Sequence, residues 1–111
     1  MKTLSIGNTA TVNVKFTVKD GGVNKLFAFT FTATKYGQDE ITERLEEKDN
    51  KTQPFMRDVI TGWSGQRLVM DANGEPSAFD EEALDMMLNV MGVSTVLFNA
   101  YFKECGAKEK N

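Results

Sequence analysis

The stretch TVNVKFTVKDGGVNKLFAFTFTATK, residues 11–35, decides the fold. Its first part alternates apolar with polar residues at the period of a half-buried strand, and DGGVN supplies the glycines of a turn. The second part repeats the alternation and places Phe27, Phe29, Phe31 and Ala33 on one face. We therefore predict an antiparallel β-hairpin. Two strands alone cannot cover a phenylalanine-rich face in water, so helices must cover it.

Two helices are predicted directly after the hairpin. QDEITERLEEKDN, residues 38–50, has a narrow apolar stripe and a Glu40/Arg44 pair, which is typical of a short, mostly solvated helix. TQPFMRDVITGW, residues 52–63, is predicted to be a core helix that ends between Gly62 and Gly65. Its apolar stripe consists of Phe55, Met56, Val59, Ile60 and Trp63. We expect the last three to pack against Phe27, Phe29 and Phe31.

Residues 67–92 predict a small element and a third helix. Arg67 to Met70 form a short β-like run before an Asn73-Gly74 turn, which indicates a small second hairpin or a structured loop. In FDEEALDMMLNVMG, residues 79–92, Asp80 is the expected N-cap and Gly92 the expected stop. The apolar stripe of this helix is Leu84, Met87, Leu88 and Met91, and we expect Met87 and Met91 to fill gaps in the core.

The last helix begins near Ser94, ends at Gly106 and has more apolar surface than one core needs. Phe98 and Phe102 lie one turn apart and would share an exposed ridge if Leu97, Ala100 and Tyr101 face the core. In the preceding helix Met86 lies off the core stripe. We predict that Met86, Phe98 and Phe102 bind another protein, which is either an apolar helical client or a second copy of the chain.

The predicted class is α+β: an N-terminal antiparallel hairpin packed against about four short helices, with a small second hairpin or structured loop. Residues 1–106 should form a single domain and residues 107–111 a flexible C-terminal tail.

Charge and hydropathy argue against two classes of partner. The chain of 111 residues has 13 basic and 16 acidic side chains, a net charge of −3, so no electrostatic footprint for nucleic acid is expected. No apolar run approaches the ~20 residues that span a bilayer, and the N-terminus lacks the pattern of a signal peptide. We therefore expect a cytosolic protein without a membrane partner.

The residue inventory also argues against catalysis. The sequence has no histidine, which removes the commonest base and metal ligand, and its one cysteine, Cys105, is expected to be an inert buried hydrophobe. The acidic pairs Asp39/Glu43 and Glu82/Asp85 lie on patterns typical of solvated faces. Ser64 in GWSGQ is better explained by a turn than by a nucleophile elbow. We predict no catalytic residue, no cofactor and no metal site.

Four segments in this order resemble the tail assembly chaperones of long-tailed bacteriophages: FTFTATKYGQDEITERLEE, PFMRDVITGW, GEPSAFDEEALDMMLNVMGV and LFNAYFKECGAKEKN. The resemblance covers roughly residues 26–111. It implies a non-enzymatic protein that binds the tape measure protein and keeps it soluble in the host cytoplasm during virion morphogenesis. It also implies absence from the mature virion. Self-association is expected instead from the surplus apolar surface of the last two helices.

The resemblance also gives a reading of the C-terminus. In this family ribosomes typically slip back one nucleotide near the end of the gene and append a domain that helps recruit tail tube protein. Glu109-Lys110-Asn111 can be encoded GAA AAA AAC, which contains A AAA AAC, a sequence that permits a programmed frameshift. The alternative is that these residues are an ordinary frayed terminus. The alternative function is a small structural component of the tail or head-tail connector.

Overall fold

The predicted hairpin is present in the computed structural model, which describes residues 1–109. Strand β1 spans Thr9–Asp20 and strand β2 spans Val23–Thr34, and they pair antiparallel along their whole length. The turn between them places Gly21 and Gly22 in the left-handed region, with φ of 59° and 89°, which favours glycine.

The helix predicted for residues 52–63 is wrong in its second half. Helix α2 spans Thr52–Val59, and Ile60–Ser64 form strand β3 on the free side of β2, so the sheet order is β1-β2-β3. The β-branched Ile60 and Thr61 favour an extended backbone once β2 offers a hydrogen-bonding edge. A Cβ on Gly62 would lie 2.9 Å from the Thr32 hydroxyl oxygen, so a larger residue here requires the Thr32 side chain or strand β3 to shift.

The packing expected for the three phenylalanines is only partly present. Phe31 lies opposite Trp63 in the β2–β3 ladder, so the two are strand neighbours rather than a strand and a helix in contact. Phe27 and Phe29 lie instead beside Phe16 of β1, with ring centroids 6.0 and 6.1 Å apart. The hairpin thus supplies much of its own aromatic packing.

Helix α1, Gln38–Glu47, is short and mostly exposed, as predicted. The predicted pair is present, since an Arg44 guanidinium nitrogen lies 2.9 Å from a Glu40 carboxylate oxygen. Arg44 also pairs with Asp58 and lies over the Tyr36 ring, 4.2 Å from its centroid. Arg44 therefore joins α1 to α2 and to the segment that leaves the hairpin.

Residues 65–80 form the structured loop rather than a full second hairpin. One bridge pairs Met70 with Pro76, and the turn between them places Gly74 at φ 76°. Helix α3, Glu81–Leu88, starts as predicted, because the Ala83 N–H donates to the Asp80 carboxylate at 2.7 Å. It ends four residues before Gly92, which lies instead at the start of α4 with φ 85°.

Helix α4, Val93–Cys105, ends before Gly106 as predicted and packs across β1 and α2. The helices cover the face of the sheet formed by alternate residues of β1 and β2, and one apolar cluster fills the space between. The core-facing side chains of β2 become less buried toward the turn: Phe31 is fully buried, Phe27 is half-buried and Val23 is 63% exposed. The hairpin therefore extends past the helices, consistent with overall dimensions of 53 × 35 × 24 Å. The structure agrees with the predicted α+β class.

Candidate protein-binding surfaces

The rotation of α4 is fixed by two side chains that are fully buried, Leu97 and Tyr101. The Tyr101 hydroxyl donates a hydrogen bond to the Thr34 carbonyl oxygen at 2.7 Å, which ties the helix to the end of β2. Burial raises the pKa of Tyr101 to about 12, because the phenolate would lose its hydration. This rotation is the one on which the predicted ridge depends, although Ala100 is only half-buried.

Phe98 and Phe102 lie together on the flank of α4 that this rotation leaves outside the core. Their ring centroids are 4.6 Å apart, and both rings also lie near the buried Phe55 of α2, at 5.7 and 6.3 Å. Each is half-buried rather than fully exposed. We call Phe98 and Phe102 the aromatic ridge. Phe55 packs against the inner side of both rings, and part of each ring is open to solvent, so the ridge is a supported apolar surface.

The structure places Met86 away from the aromatic ridge. Met86 is 55% exposed on α3 and faces the loop after β3, where it lines a depression of about 380 Å³ with Met70, Ala72 and Glu82. We call this depression the acidic groove, since Asp71, Asp80 and Glu82 line it. The three predicted binding residues therefore lie on two surfaces.

The other methionines of this segment differ from one another. Met87 is fully buried, as predicted, whereas Met91 is 98% exposed, so the prediction that it fills a core gap is wrong. The reason is the early end of α3: residues after Leu88 leave the helical path, and Met91 no longer follows the stripe of Leu84 and Met87.

The uncovered end of the hairpin forms an apolar surface that the sequence pattern does not predict. Val18 and Phe27 of the hairpin face Leu68, Met70 and Val90 across a depression of about 430 Å³, which we call the tip groove. The available signal was length. Twelve-residue strands span about 40 Å, whereas helices of eight to thirteen residues span only about 12–20 Å, so part of the hairpin must outreach its cover.

Groups that resemble catalytic residues lie in unremarkable settings. Burial raises the pKa of the half-buried Cys105 thiol, which opposes formation of a reactive thiolate. Asp39, Glu43 and Glu82 are exposed, and Asp85 is exposed and paired with Arg57. Ser64 ends β3 and precedes a left-handed Gly65, so it belongs to a turn. Within residues 1–109 no group of three or more Cys, Asp or Glu side chains could hold a metal ion.

Within residues 1–109 no single helix is long and apolar enough to cross a membrane. Helices α3 and α4 would reach the needed length and apolar composition only if taken together, and they are bent by 102° at their junction. Residues 107–109 are exposed and belong to no helix or strand. The predicted tail and the Glu-Lys-Asn triplet extend over residues 110 and 111, which lie outside the described residues.

Comparison with known proteins gives no match: no protein-family model, no curated protein and no solved structure matches this chain significantly.

Proposed function

We propose that this chain is a tail assembly chaperone of a long-tailed bacteriophage, which binds the tape measure protein through the aromatic ridge. The proposal rests on the ordered resemblance of residues 26–111 and on one structural observation. Phe98 and Phe102 form a tilted aromatic pair that stays half-exposed, whereas Leu97 and Tyr101 on the same helix are fully buried in the core.

The ridge suits a helical client for physical reasons. Two aromatic rings one helical turn apart match the spacing of apolar residues at i, i+3 and i+4 on a client helix. Aromatic side chains contribute large contact area at a low cost in conformational entropy, and Phe55 beneath them reduces that cost further. A surface of this kind binds by contact and needs no catalytic group. In this proposal the protein acts in the host cytoplasm, without a cofactor, and is lost before the virion matures.

The test is co-expression with the tape measure protein encoded by the same phage. Phe98→Asp and Phe102→Asp place a charge on the ridge, and we expect the soluble fraction of the client to fall to that seen without chaperone. Because Phe98 and Phe102 contact Phe55, each variant must first give a cooperative thermal transition and a wild-type far-UV spectrum.

Val96→Asp is the matched control, since Val96 is half-buried on the opposite flank of α4 beside β1. It introduces the same charge into the same helix at a similar folding cost, but away from the ridge. Folded ridge variants that still solubilise the client would refute the proposed binding face. If a folded Val96→Asp protein loses activity equally, the ridge has no special role in client binding.

Two further measurements address the longer form and the alternative function. The proposed frameshifted product would bring tail tube protein to the complex. Sequencing the gene tests it, because this frameshift is expected where the codons of residues 109–111 read GAA AAA AAC. Mass spectrometry of purified virions separates a chaperone from a structural tail or connector component. Detection of this chain in mature particles at a stoichiometric level would contradict the chaperone proposal.

A further inference from the structure

The tip groove has an apolar floor and a basic rim. Lys19, Lys25 and Arg67 surround it, with Asp20 as the one carboxylate among its lining residues. The Asp20 oxygen lies 2.7 Å from the Lys25 nitrogen, so that pair is neutral as a unit. Neither Lys19 nor Arg67 forms an ion pair with any of residues 1–109. The rim therefore keeps two uncompensated positive charges on a chain whose net charge is −3.

The acidic groove has the opposite charge and adjoins the tip groove. Asp71 and Asp80 accept hydrogen bonds from nearby backbone N–H groups, and Glu82 has no ion-pair partner in the same part of the chain. Met70 lines both grooves, so the two lie side by side with a half-exposed methionine at their boundary. The acidic half also has an apolar side chain, Met86, that residues 1–109 leave 55% exposed.

We propose that these two grooves together form a two-fold interface between two copies of this chain. A two-fold axis near Met70 turns the second copy so that its acidic groove faces the tip groove of the first copy, and the reverse. Arg67 and Lys19 then face Glu82 and Asp80 of the second copy, and Met86 enters the apolar floor formed by Phe27, Leu68 and Val90.

A second copy fits this surface better than an unrelated partner does, because the surface is complementary to itself. An isologous interface requires that one patch contain both halves of every contact, and here a basic half and an acidic half share a border. The arrangement would also cover Phe27, which the helices of its own chain leave half-exposed. The proposed dimer interface involves neither residue of the aromatic ridge, so it can be correct even if the proposed client binding is wrong, and the reverse.

The test is the mass of the full chain in solution, by sedimentation and light scattering, without any client. Loaded at about 100 µM, well above the Kd of a modest interface, wild type should run near twice the 12.4 kDa of one chain. Arg67→Glu and Glu82→Arg should each raise the dimer Kd at least about tenfold, because symmetry repeats each charge pair and each swap creates two repulsions.

Mixing the two variants gives the sharpest result. In a heterodimer of Arg67→Glu with Glu82→Arg, Glu faces Arg at one contact and the native Glu82 faces the native Arg67 at the other. An equal mixture should therefore restore a dimer that contains one copy of each. Lys15→Glu and Glu43→Arg are the charge-matched controls, since both residues are exposed and line neither groove. Met86→Ser, which changes no charge, should weaken the dimer as well.

The proposed interface is wrong if wild type stays monomeric at about 100 µM, or if the charge swaps leave the dimer intact while folded. It is also wrong if the mixture stays monomeric, or if the mass grows beyond two copies with concentration. The last result would indicate a head-to-tail contact instead of a two-fold one. A monomer that binds acidic amphipathic peptides in the tip groove would assign the groove to another partner and would likewise refute the homodimer.

Discussion

Gln66 organises the loop that separates the two grooves, and its replacement by leucine gives a quantitative test of that role. Gln66 is 2% exposed and uses its whole amide. Its nitrogen donates to the carbonyl oxygens of Val69 and Ser77 at 2.9 and 3.0 Å. Its oxygen accepts from the backbone N–H groups of Leu68 and Val69 at 3.1 and 2.9 Å. Gln66→Leu keeps a similar shape and removes all four bonds.

The cost of Gln66→Leu follows from which partners keep another hydrogen bond. The Val69 carbonyl still accepts from the Ser77 N–H at 2.9 Å, and the Ser77 carbonyl still accepts from the Trp63 indole at 3.1 Å. The N–H groups of Leu68 and Val69 lose the acceptor that Gln66 provides. An unsatisfied buried donor costs about 1–3 kcal/mol, and Leu68 is only half-buried, so the free energy of unfolding should fall by about 2–4 kcal/mol.

Urea unfolding, followed by Trp63 fluorescence and by far-UV circular dichroism, measures this cost. Gln38→Leu is the matched control, because Gln38 is exposed on α1 and should change stability by less than about 0.5 kcal/mol. Gln66→Glu separates donors from acceptors: it keeps the acceptors but directs a carboxylate at two carbonyl oxygens, so it should also destabilise. A Gln66→Leu protein within 0.5 kcal/mol of wild type, at unchanged m-value, would refute the argument that these bonds hold the loop.

Three further predictions concern the core. Phe29→Ala should lower the free energy of unfolding by about 3–4 kcal/mol, because Phe29 is 7% exposed and packs on Phe16; urea titration would show a surface-like shift if this is wrong. Gly62→Ala should destabilise by about 1–3 kcal/mol, because its Cβ would lie 2.9 Å from the Thr32 hydroxyl, and the double variant with Thr32→Ala should recover part of the loss. The pKa of Tyr101 is raised from 10 to about 12 in the folded chain, so the unfolded chain releases this proton first and stability should fall as pH rises between these values. Tyr101→Phe should flatten that pH dependence, and an unchanged slope in chemical denaturation would exclude Tyr101 as its source.

The hairpin and the starts of the helices could be predicted because local patterns determine them. Period-two alternation specifies the strands, and Asp80 has few other roles than a helix cap before Glu81 and Glu82. Strand β3 could not be predicted in the same way. The apolar residues of VITGW fit a helical stripe as well as a strand, and the deciding term is the free edge of β2, which lies far away in sequence.

The binding residues show the same division. The orientation of the aromatic ridge follows from helical periodicity, because Leu97 and Tyr101 define the buried side of α4. Whether Met87 and Met91 are buried depends instead on where α3 ends, which periodicity does not specify. Element lengths indicate that part of the hairpin extends past the helices, but which residues then line the tip groove depends on how the loop after β3 packs in the assembled domain.

The contact between α4 and the hairpin affects the order of folding during synthesis. Tyr101 lies 67 residues after Thr34, its hydrogen-bond partner, and α4 packs across β1. A ribosome that adds about 5–20 residues per second needs roughly 3–13 s to synthesise that interval. During this time the hairpin is complete but its phenylalanine face lacks its last cover. The domain therefore cannot complete its core until α4 has been synthesised. A nascent chain stalled before Val93 should be far more prone to aggregate than the finished protein.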